Sequence, residues 1–227
     1  MLVAIDGAVK NPGTPTCLSV GCALFIESNS TELYSVICEG TNSTSQRGEI
    51  NGLISALNGA EAEHLTDDSL LILTDSQYLH DTVMYEWAKK WEAANWISAS
   101  GEPPKNADLW KKALSLIKKL EDRGVEIVML WTKGHLYRYP AGQIKRCMQQ
   151  DATGATLLSS IETMLNVATQ RERAVSAFNA CRAEHDMPPL PDNLAAEYIV
   201  YNCTVDAIAT YVANLLKEHV DAQSTVK

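Results

Sequence analysis

Three acidic residues occupy positions from which carboxylates can act together. Asp6 follows a short apolar run that begins at Leu2, and Asp75 follows a second apolar run over 70–73. Glu49 lies between them in the chain, in the first turn of a predicted helix. Clustered carboxylates repel one another unless a cation lies between them, and oxygen ligands without His or Cys favour Mg²⁺ or Mn²⁺ over zinc. The pattern therefore favours a site for a hard divalent metal, although single acidic residues at such positions are also common as helix caps and solvated termini.

The elements that must position these acids predict an α/β fold. Three β-type segments near the start of the chain indicate an antiparallel meander, and two later buried runs, each preceded by a helix, indicate parallel strands. We expect a five-stranded mixed sheet flanked by helices, in which an antiparallel meander is followed by parallel strands. Asp6 and Asp75 would then project from neighbouring carboxyl ends, where open α/β sheets place their sites. The predicted strands are 2–5, 17–26, 33–38, 70–73 and 125–131, and the predicted helices of this part are 47–57, 76–97 and 106–120.

The part of the chain after residue 135 departs from this alternation. An apolar stripe from Leu157 to Cys181 predicts one amphipathic helix, which the prolines after Met187 end. A last helix carries apolar residues on one face from Val205 to Leu216. The predicted organisation is a single domain over 1–221, with a mostly helical insertion over 137–200 and a flexible tail over 222–227.

Composition and charge limit the class of protein. The 227 residues are 46% hydrophobic with a formal net charge of −9, which excludes wholesale disorder and argues against an indiscriminate polyanion binder. A nuclease stays compatible with this charge, because its site can be locally basic or bridged by metal ions. No run approaches the roughly 18 apolar residues of a membrane span, and no secretory leader is recognisable. Six cysteines without a C-x-x-C pair are expected to be reduced thiols, so we expect cytoplasmic residence and no membrane partner.

The residues around the three acids resemble the type 1 ribonuclease H family. Six blocks follow one another in that family's order, and the resemblance covers about 1–135 and 200–219. Together they are far more specific than any one block alone. The blocks are 5–13 (IDGAVKNPG), 44–49 (TSQRGE), 74–78 (TDSQY), 105–110 (KNADLW), 131–135 (WTKGH) and 202–209 (NCTVDAIA).

The resemblance implies a reaction and a set of catalytic residues. The implied enzyme is an endoribonuclease that hydrolyses the RNA strand of RNA–DNA hybrids and leaves 5′-phosphate and 3′-hydroxyl ends. Four carboxylates would hold two Mg²⁺ ions, for which Mn²⁺ can substitute, and His135 would assist proton transfer or product departure. The matching carboxylates are Asp6, Glu49, Asp75 and Asp206.

The resemblance also implies contacts to the hybrid. Asn11, Gln46 and Gln77 match positions that touch the minor groove, where 2′-hydroxyls mark the RNA strand. As an alternative, these three residues serve only turns and caps. Arg47 either neutralises a backbone phosphate or is a solvated cation at a helix start.

A tryptophan-rich segment matches the handle of cellular members of the family. Trp87, Trp91 and Trp96 have helical spacing, so at least two are expected to pack in the core, while Trp87 is our candidate for contact with the substrate. Residues 85–112 carry five lysines and four acidic residues, fewer net positive charges than the handles of relatives. We therefore expect weak, salt-sensitive hybrid binding unless a partner or the insertion adds contacts.

The insertion is the main departure from the family. His135 and Asp206 are 71 positions apart, where relatives have about ten residues of loop. Residues 136–200 hold six Lys/Arg and seven Asp/Glu, which argues against a basic clamp. Their apolar stripe must pack against the domain itself, a protein partner or a second copy of the chain. The insertion also contains Asp151, which is an alternative to Asp206 as the fourth metal ligand. If the insertion displaced the loop that carries His135, this histidine would be a loop residue without a catalytic role.

Two other functions stay open at this point. One is a DNA nuclease of the same fold, since such sheets also carry acidic clusters. The other is a hybrid-binding or interaction module with lost or regulated catalysis. The presence of all four matching carboxylates gives no reason to expect that catalysis has been lost.

Overall fold

The computed structural model of the chain contains five strands and eight helices within the residues that it describes. Those residues are 1–26, 33–40, 42–66, 68–137 and 139–224. The strands are β1 (Leu2–Lys10), β2 (Leu18–Phe25), β3 (Tyr34–Glu39), β4 (Ser69–Thr74) and β5 (Glu126–Trp131). The helices are α1 (Ser45–Ala62), α2 (Gln77–Met84), α3 (Trp87–Ala93), α4 (Ala107–Glu121), α5 (Ala141–Gln150), α6 (Ala155–Leu165), α7 (Ala168–Glu184) and α8 (Asp192–Ser224).

The strands form one mixed sheet in the order β3-β2-β1-β4-β5. β1 and β3 pair antiparallel with β2, whereas β4 pairs parallel with both β1 and β5. This arrangement confirms the predicted fold class. Strand β1 is longer than predicted, because it continues to pair with β2 as far as Lys10. Asp6 therefore lies within the strand, opposite Cys22, just beyond the last parallel pair between Ala4 and Leu73.

The two faces of the sheet carry separate apolar cores. Val3 and Ile5 of β1 pack into the core that includes α1 and α4, whereas Ala4 between them packs into the core beneath α8. This alternation is the two-residue period of a strand buried on both faces. The second core also contains apolar residues of α5, α6 and α7, such as Phe178. The apolar stripe of the insertion thus packs against the domain itself.

Several predicted helices are divided differently in the structure. The helix expected over 76–97 is interrupted between α2 and α3, where Glu86 adopts a left-handed φ of 56°. The helix expected from Leu157 to Cys181 is likewise two helices, because Val167 has an extended conformation. Helix α5 was not predicted, since only Ile144, Cys147 and Met148 mark its buried side.

Helix α8 extends beyond its predicted limits at both ends. It begins at Asp192, inside the predicted insertion, and continues to Ser224 rather than ending at 221. Two side-chain contacts between residues four positions apart stabilise its exposed last turns. They join Lys217 to Asp221 and His219 to Gln223. Residues 225–227 of the predicted tail lie outside the described residues. By length and hydropathy α8 would suffice for a membrane span, but 56% of its most apolar window is buried in the protein, as in the core helix of a globular domain.

Candidate active site

Three carboxylates converge above β1 and β4. One oxygen each from Asp6, Glu49 and Asp75 lies within 4.8 Å of the other two. Asp6 projects from β1 and is only 4% exposed, while Asp75 directly follows β4. Glu49 reaches them from the second turn of α1, because this helix begins at Ser45, two residues earlier than predicted. The structure thus brings together the three acids that the sequence placed at neighbouring strand ends and at a helix start.

Close contact between α1 and β1 makes this convergence possible. A Cβ atom on Gly7 would lie 2.4 Å from the backbone nitrogen of Glu49, so only glycine fits at this position. The N–H of Gly7 also donates to Asp6 Oδ1 at 2.7 Å. Thr44 caps α1 by accepting from the N–H of Arg47 at 3.2 Å, which fixes the helix start beside the strand.

The proximity of the acids makes each of them harder to ionise. Burial, and then the neighbouring charges of Glu49 and Asp75, raise the pKa of Asp6 well above its usual value. Burial and the charge of Asp75 raise the pKa of Glu49 from 4.5 to about 8. Burial also raises the pKa of Asp75, although His135 opposes this effect. Such a cluster stores electrostatic repulsion that a bound cation would relieve.

The residues present fit a divalent metal. Glu49 Oε2 is buried and has no hydrogen-bond partner among the described residues, so one carboxylate oxygen lacks any satisfying contact. No Lys or Arg in the part of the chain that the structure describes forms an ion pair with Asp6, Glu49 or Asp75. Carboxylate oxygens are the ligands that Mg²⁺ and Mn²⁺ prefer. The site therefore has the charge and the donor set of a hard-cation site.

Asp206 and His135 lie beside the acidic cluster. Asp206, on α8, contributes to the raised pKa of Asp6, Glu49 and Asp75, although it is outside the group that converges within 4.8 Å. His135 Nδ1 lies 3.8 Å from Asp206 Oδ2, and both side chains are partly exposed. The insertion has therefore left the histidine next to the fourth acid.

Asp151 has a different role from the one considered for it. Its Oδ1 accepts from the N–H of Thr153 at 2.9 Å, and its Oδ2 accepts from the N–H of Thr156 at 3.1 Å. These bonds, together with those from the threonine hydroxyls, lower the pKa of Asp151 to about 2. Asp151 thus caps the start of α6, so of the two rivals only Asp206 lies beside the cluster.

The His135 loop, of which the structure describes residues 132–137 and 139–140, has contacts on two sides. A Cβ atom on Gly134 would lie 1.9 Å from Asp75 Oδ2, so the loop passes directly over that carboxylate. The thiol of Cys203 on α8 donates to the carbonyl of Tyr137 at 3.3 Å, and the hydroxyl of Tyr139 bonds with that of Ser160 on α6. Helices α6 and α8 therefore both bond to this loop.

Two side chains near Asp75 were not singled out from the sequence. Trp131 Nε1 donates to the backbone carbonyl of Asp75 at 3.2 Å, and the ring of His185 from the end of α7 packs 4.6 Å from the Trp131 ring. The buried Asn202 lies beside Asp75 and lowers its pKa, while its amide nitrogen makes no hydrogen bond of ordinary geometry. The only signal in the sequence for Asn202 is its place one helical turn before Asp206.

The predicted hybrid-contacting residues are distributed around the site. Asn11 stabilises the turn after β1, where its side-chain nitrogen lies 3.4 Å from the carbonyl of Thr16. Gln46 and Gln77 are exposed in the first turns of α1 and α2. Their contact with nucleic acid stays a prediction.

Arg47 is not a solvated cation in this structure, while its contact with a backbone phosphate stays a prediction. Its guanidinium binds Glu39 at 2.7 Å and Asp108 at 2.8 Å. These two carboxylates raise its pKa and use its donors, so in this structure Arg47 links β3 and the start of α4 to α1. The partner Asp108 is 61 positions away in the sequence, which is why the pairing was not predicted.

The tryptophans of the handle divide as expected. Trp91 packs edge-on against Trp110 at 6.2 Å, and Lys111 lies 5.3 Å above the ring of Trp96. Both pack against the first core, whereas Trp87 pairs with the exposed Tyr85 at 6.1 Å. Trp87 therefore stays the candidate for contact with a substrate.

Comparisons with known proteins agree with the resemblance noted in the sequence. The RNase H family profile matches residues 1–142. Ribonuclease H of Rippkaea orientalis is 31% identical over 135 residues, which are 60% of this chain and 74% of that protein. Ribonuclease H of Methylobacillus flagellatus is 32% identical over 130 residues, covering 57% and 76%. Ribonuclease HI of Synechocystis sp. is 39% identical over 93 residues, which are 40% of this chain and about half (52%) of that relative.

The similarity to solved structures is weaker. LC9-RNase H1, a type 1 RNase H with the type 2 active-site motif, matches with a TM-score of 0.41 at 21% identity, covering 57% of this chain and 63% of that one. The family profile covers well over half of the chain, and the Rippkaea orientalis relative is covered over about three quarters of its length. The chain therefore belongs to the ribonuclease H family.

Proposed function

We propose that this protein is an endoribonuclease that hydrolyses the RNA strand of RNA–DNA hybrids and leaves 5′-phosphate and 3′-hydroxyl ends. The observation that carries the proposal is the convergence of Asp6, Glu49 and Asp75 within 4.8 Å, with Asp206 and His135 beside them. Membership of the ribonuclease H family supports the choice of substrate.

The acidic residues would hold the catalytic metal ions. When bound, two Mg²⁺ ions supply an activated water and neutralise charge on the departing 3′ oxygen. By the family resemblance Asp6 would serve both ions, and the charges of Glu49, Asp75 and Asp206 all act on its carboxyl group. We assign Asp206 to the ion on the water side, and Glu49 and Asp75 to the ion on the leaving-group side.

His135 would move a proton at the edge of this cluster. Its ring lies 3.8 Å from Asp206, and the side chain is 63% exposed, so it can exchange protons with solvent. A histidine is suited to this role because its unperturbed pKa is about 6.5. The His135 loop holds the ring in place through Gly134 over Asp75 and through Tyr137 against Cys203.

Recognition of the RNA strand is assigned to polar residues at the same edge of the sheet. Asn11, Gln46 and Gln77 would donate to or accept from 2′-hydroxyls and base edges in the minor groove. Trp87 would stack on the DNA strand. These contacts distinguish a hybrid from an all-DNA duplex, which has no 2′-hydroxyl.

The test is cleavage of a hybrid that carries separate labels on its RNA and DNA strands, with Mg²⁺ and with Mn²⁺. We expect RNA-strand cutting by the wild type, loss of cutting in Asp75→Asn and Asp206→Asn, and cutting retained in Asp151→Asn as the matched control. Extension of the RNA products by a polymerase would report 3′-hydroxyl ends. Preference for an all-DNA duplex would instead support a DNA nuclease. Tight hybrid binding without cutting in either metal would support a binding module.

A further inference from the structure

The charges of the insertion region are segregated along the chain. Between residues 132 and 150 the sequence contains four Lys/Arg and no Asp or Glu, whereas all seven acidic residues of the insertion fall between 151 and 200. The insertion therefore begins with a basic segment, although its positive and negative side chains are nearly equal in number. The four basic residues are Lys133, Arg138, Lys145 and Arg146, of which Arg138 lies outside the described residues.

The described cations of this segment are exposed and unneutralised. Lys133, Lys145 and Arg146 are exposed, and no ion pair joins any of them to a carboxylate within the described ranges. The guanidinium of Arg146 has only a 3.4 Å contact with the carbonyl of Gly142, one turn earlier in the same helix. These side chains keep their full charge for a ligand.

Several cations of the handle, by contrast, already make contacts within the protein. Lys89 bonds to Glu86 at 3.1 Å and to Glu121 at 2.8 Å, and Lys90 donates to the carbonyl of Tyr85. Lys111 makes a cation–π contact with the ring of Trp96. Three of the five handle lysines therefore have contacts within the protein, and among the described residues Lys89 is the one of these that carboxylates neutralise.

The basic segment adjoins the active site. It begins at Lys133, beside the Gly134 position that covers Asp75, and follows the His135 loop into α5. A cavity between α5 and α8 is lined by Lys145 of α5, by Glu218 of α8, and by Thr210, Tyr211 and Asn214 in the first turns of α8 after Asp206. At about 1.5 Å per residue these positions are roughly 6–12 Å along the helix from Asp206, a span of a few nucleotides.

We propose that the described cations of the basic segment, Lys133, Lys145 and Arg146, form a second binding surface for the phosphate backbone of the RNA–DNA hybrid, next to the active site. The proposal rests on the proposed function, because it takes the hybrid as the ligand. A polyanion is favoured over an acidic protein, since the segment is continuous with a site for phosphodiester chemistry. Gln143, Gln149 and Gln150 add polar groups on the same helix.

The test compares two double variants that remove the same charge. Lys145→Gln with Arg146→Gln acts on the basic segment, and Arg171→Gln with Arg173→Gln removes two cations from α7 of the same insertion. Binding of a fluorescent hybrid would be measured by anisotropy in Mg²⁺, in an Asp75→Asn background that prevents cleavage. Each phosphate contact contributes about 0.9 to the slope of log affinity against log salt. Two lost contacts reduce this slope by about 1.8. When salt is raised from about 50 to about 200 mM, the affinity of the parent should therefore fall about 12-fold more than the affinity of Lys145→Gln with Arg146→Gln.

The outcomes separate this inference from the proposed function. We expect Lys145→Gln with Arg146→Gln to bind about tenfold more weakly at the lower salt concentration and with the smaller slope, while the α7 control stays within about twofold of its parent. If the two double variants have the same affinity and the same salt dependence, the inference of a second binding surface is wrong, while the proposed nuclease function is unaffected. Failure of the wild type to bind or cut the hybrid would overturn the proposed function and this surface with it. Thermal unfolding of both variants would confirm that each is folded.

Discussion

Replacing Glu49 by glutamine should stabilise the metal-free protein at neutral pH. Burial and Asp75 raise the pKa of the Glu49 carboxyl from 4.5 to about 8 in the folded chain. At pH 7 the unfolded chain has therefore released a proton that the folded chain retains. Because the folded state binds more protons, the free energy of unfolding decreases as the pH rises from about 4.5 to about 8. Glutamine removes this dependence, since its amide does not ionise.

The size of the effect follows from the two pKa values. Each pH unit between the two pKa values lowers the free energy of unfolding by about 1.4 kcal/mol. At pH 7 the ionisation of Glu49 in the unfolded chain therefore lowers it by roughly 3 kcal/mol at most. The side chain retains some contact with solvent, and we therefore expect about 2 kcal/mol. In a chain of this length, about 2 kcal/mol corresponds to a rise in Tm of roughly 4–8 °C.

The assay is thermal unfolding in the presence of a chelator at pH 4, 5.5 and 7.5. The stabilisation by Glu49→Gln should be near zero at pH 4 and largest at pH 7.5. Glu172→Gln, an exposed change on α7, is the matched control and should change Tm little at any pH. Added Mg²⁺ should raise the Tm of the wild type more than that of Glu49→Gln. A variant that is destabilised, or stabilised equally at all three pH values, would refute the electrostatic reasoning.

Three further predictions concern other parts of the molecule. Gly134→Ala should reduce cleavage at least tenfold, because its Cβ would lie 1.9 Å from Asp75 Oδ2, whereas Gly40→Ala has open space and should cleave like the wild type in the same assay. Asp151→Ala should lower Tm by a few degrees through loss of the α6 cap and should retain cleavage; loss of cleavage in a folded variant would contradict this assignment. Mass spectrometry after brief alkylation of the native protein should show one modified thiol, Cys38, as the one exposed cysteine of the six, and rapid modification of several would contradict the described burial.

The sequence was sufficient to predict the sheet and the three converging acids. Asp6 and Asp75 follow apolar runs that could only be buried strands, and parallel pairing then brings strand ends together. The matching blocks around Glu49 and Asp206 supplied the rest of the candidate site. These features depend on local sequence patterns and on the order of the family's motifs, and both can be recognised in a single sequence.

Other features depended on contacts between distant parts of the chain. The pairing of Arg47 with Asp108 joins residues 61 positions apart, so no local pattern indicates it. Asp151 has the same residue type as the metal ligands, and only its hydrogen bonds to Thr153 and Thr156 distinguish a cap from a ligand. The interruption at Val167 was missed because the apolar period continues across it.

The contacts of the His135 loop with α6 and α8 also determine how this loop opens. Tyr137 and Tyr139 pack in the same core as helices of the insertion; Tyr139 bonds with Ser160 of the insertion, whereas Tyr137 accepts from Cys203, in the part of α8 beyond it. Local opening of the loop must therefore break tertiary contacts, so its backbone amides should exchange with deuterium nearly as slowly as those of the adjoining helices. A chain from which the insertion had been removed would lose this protection. We therefore expect the insertion and the catalytic edge to unfold as one cooperative unit.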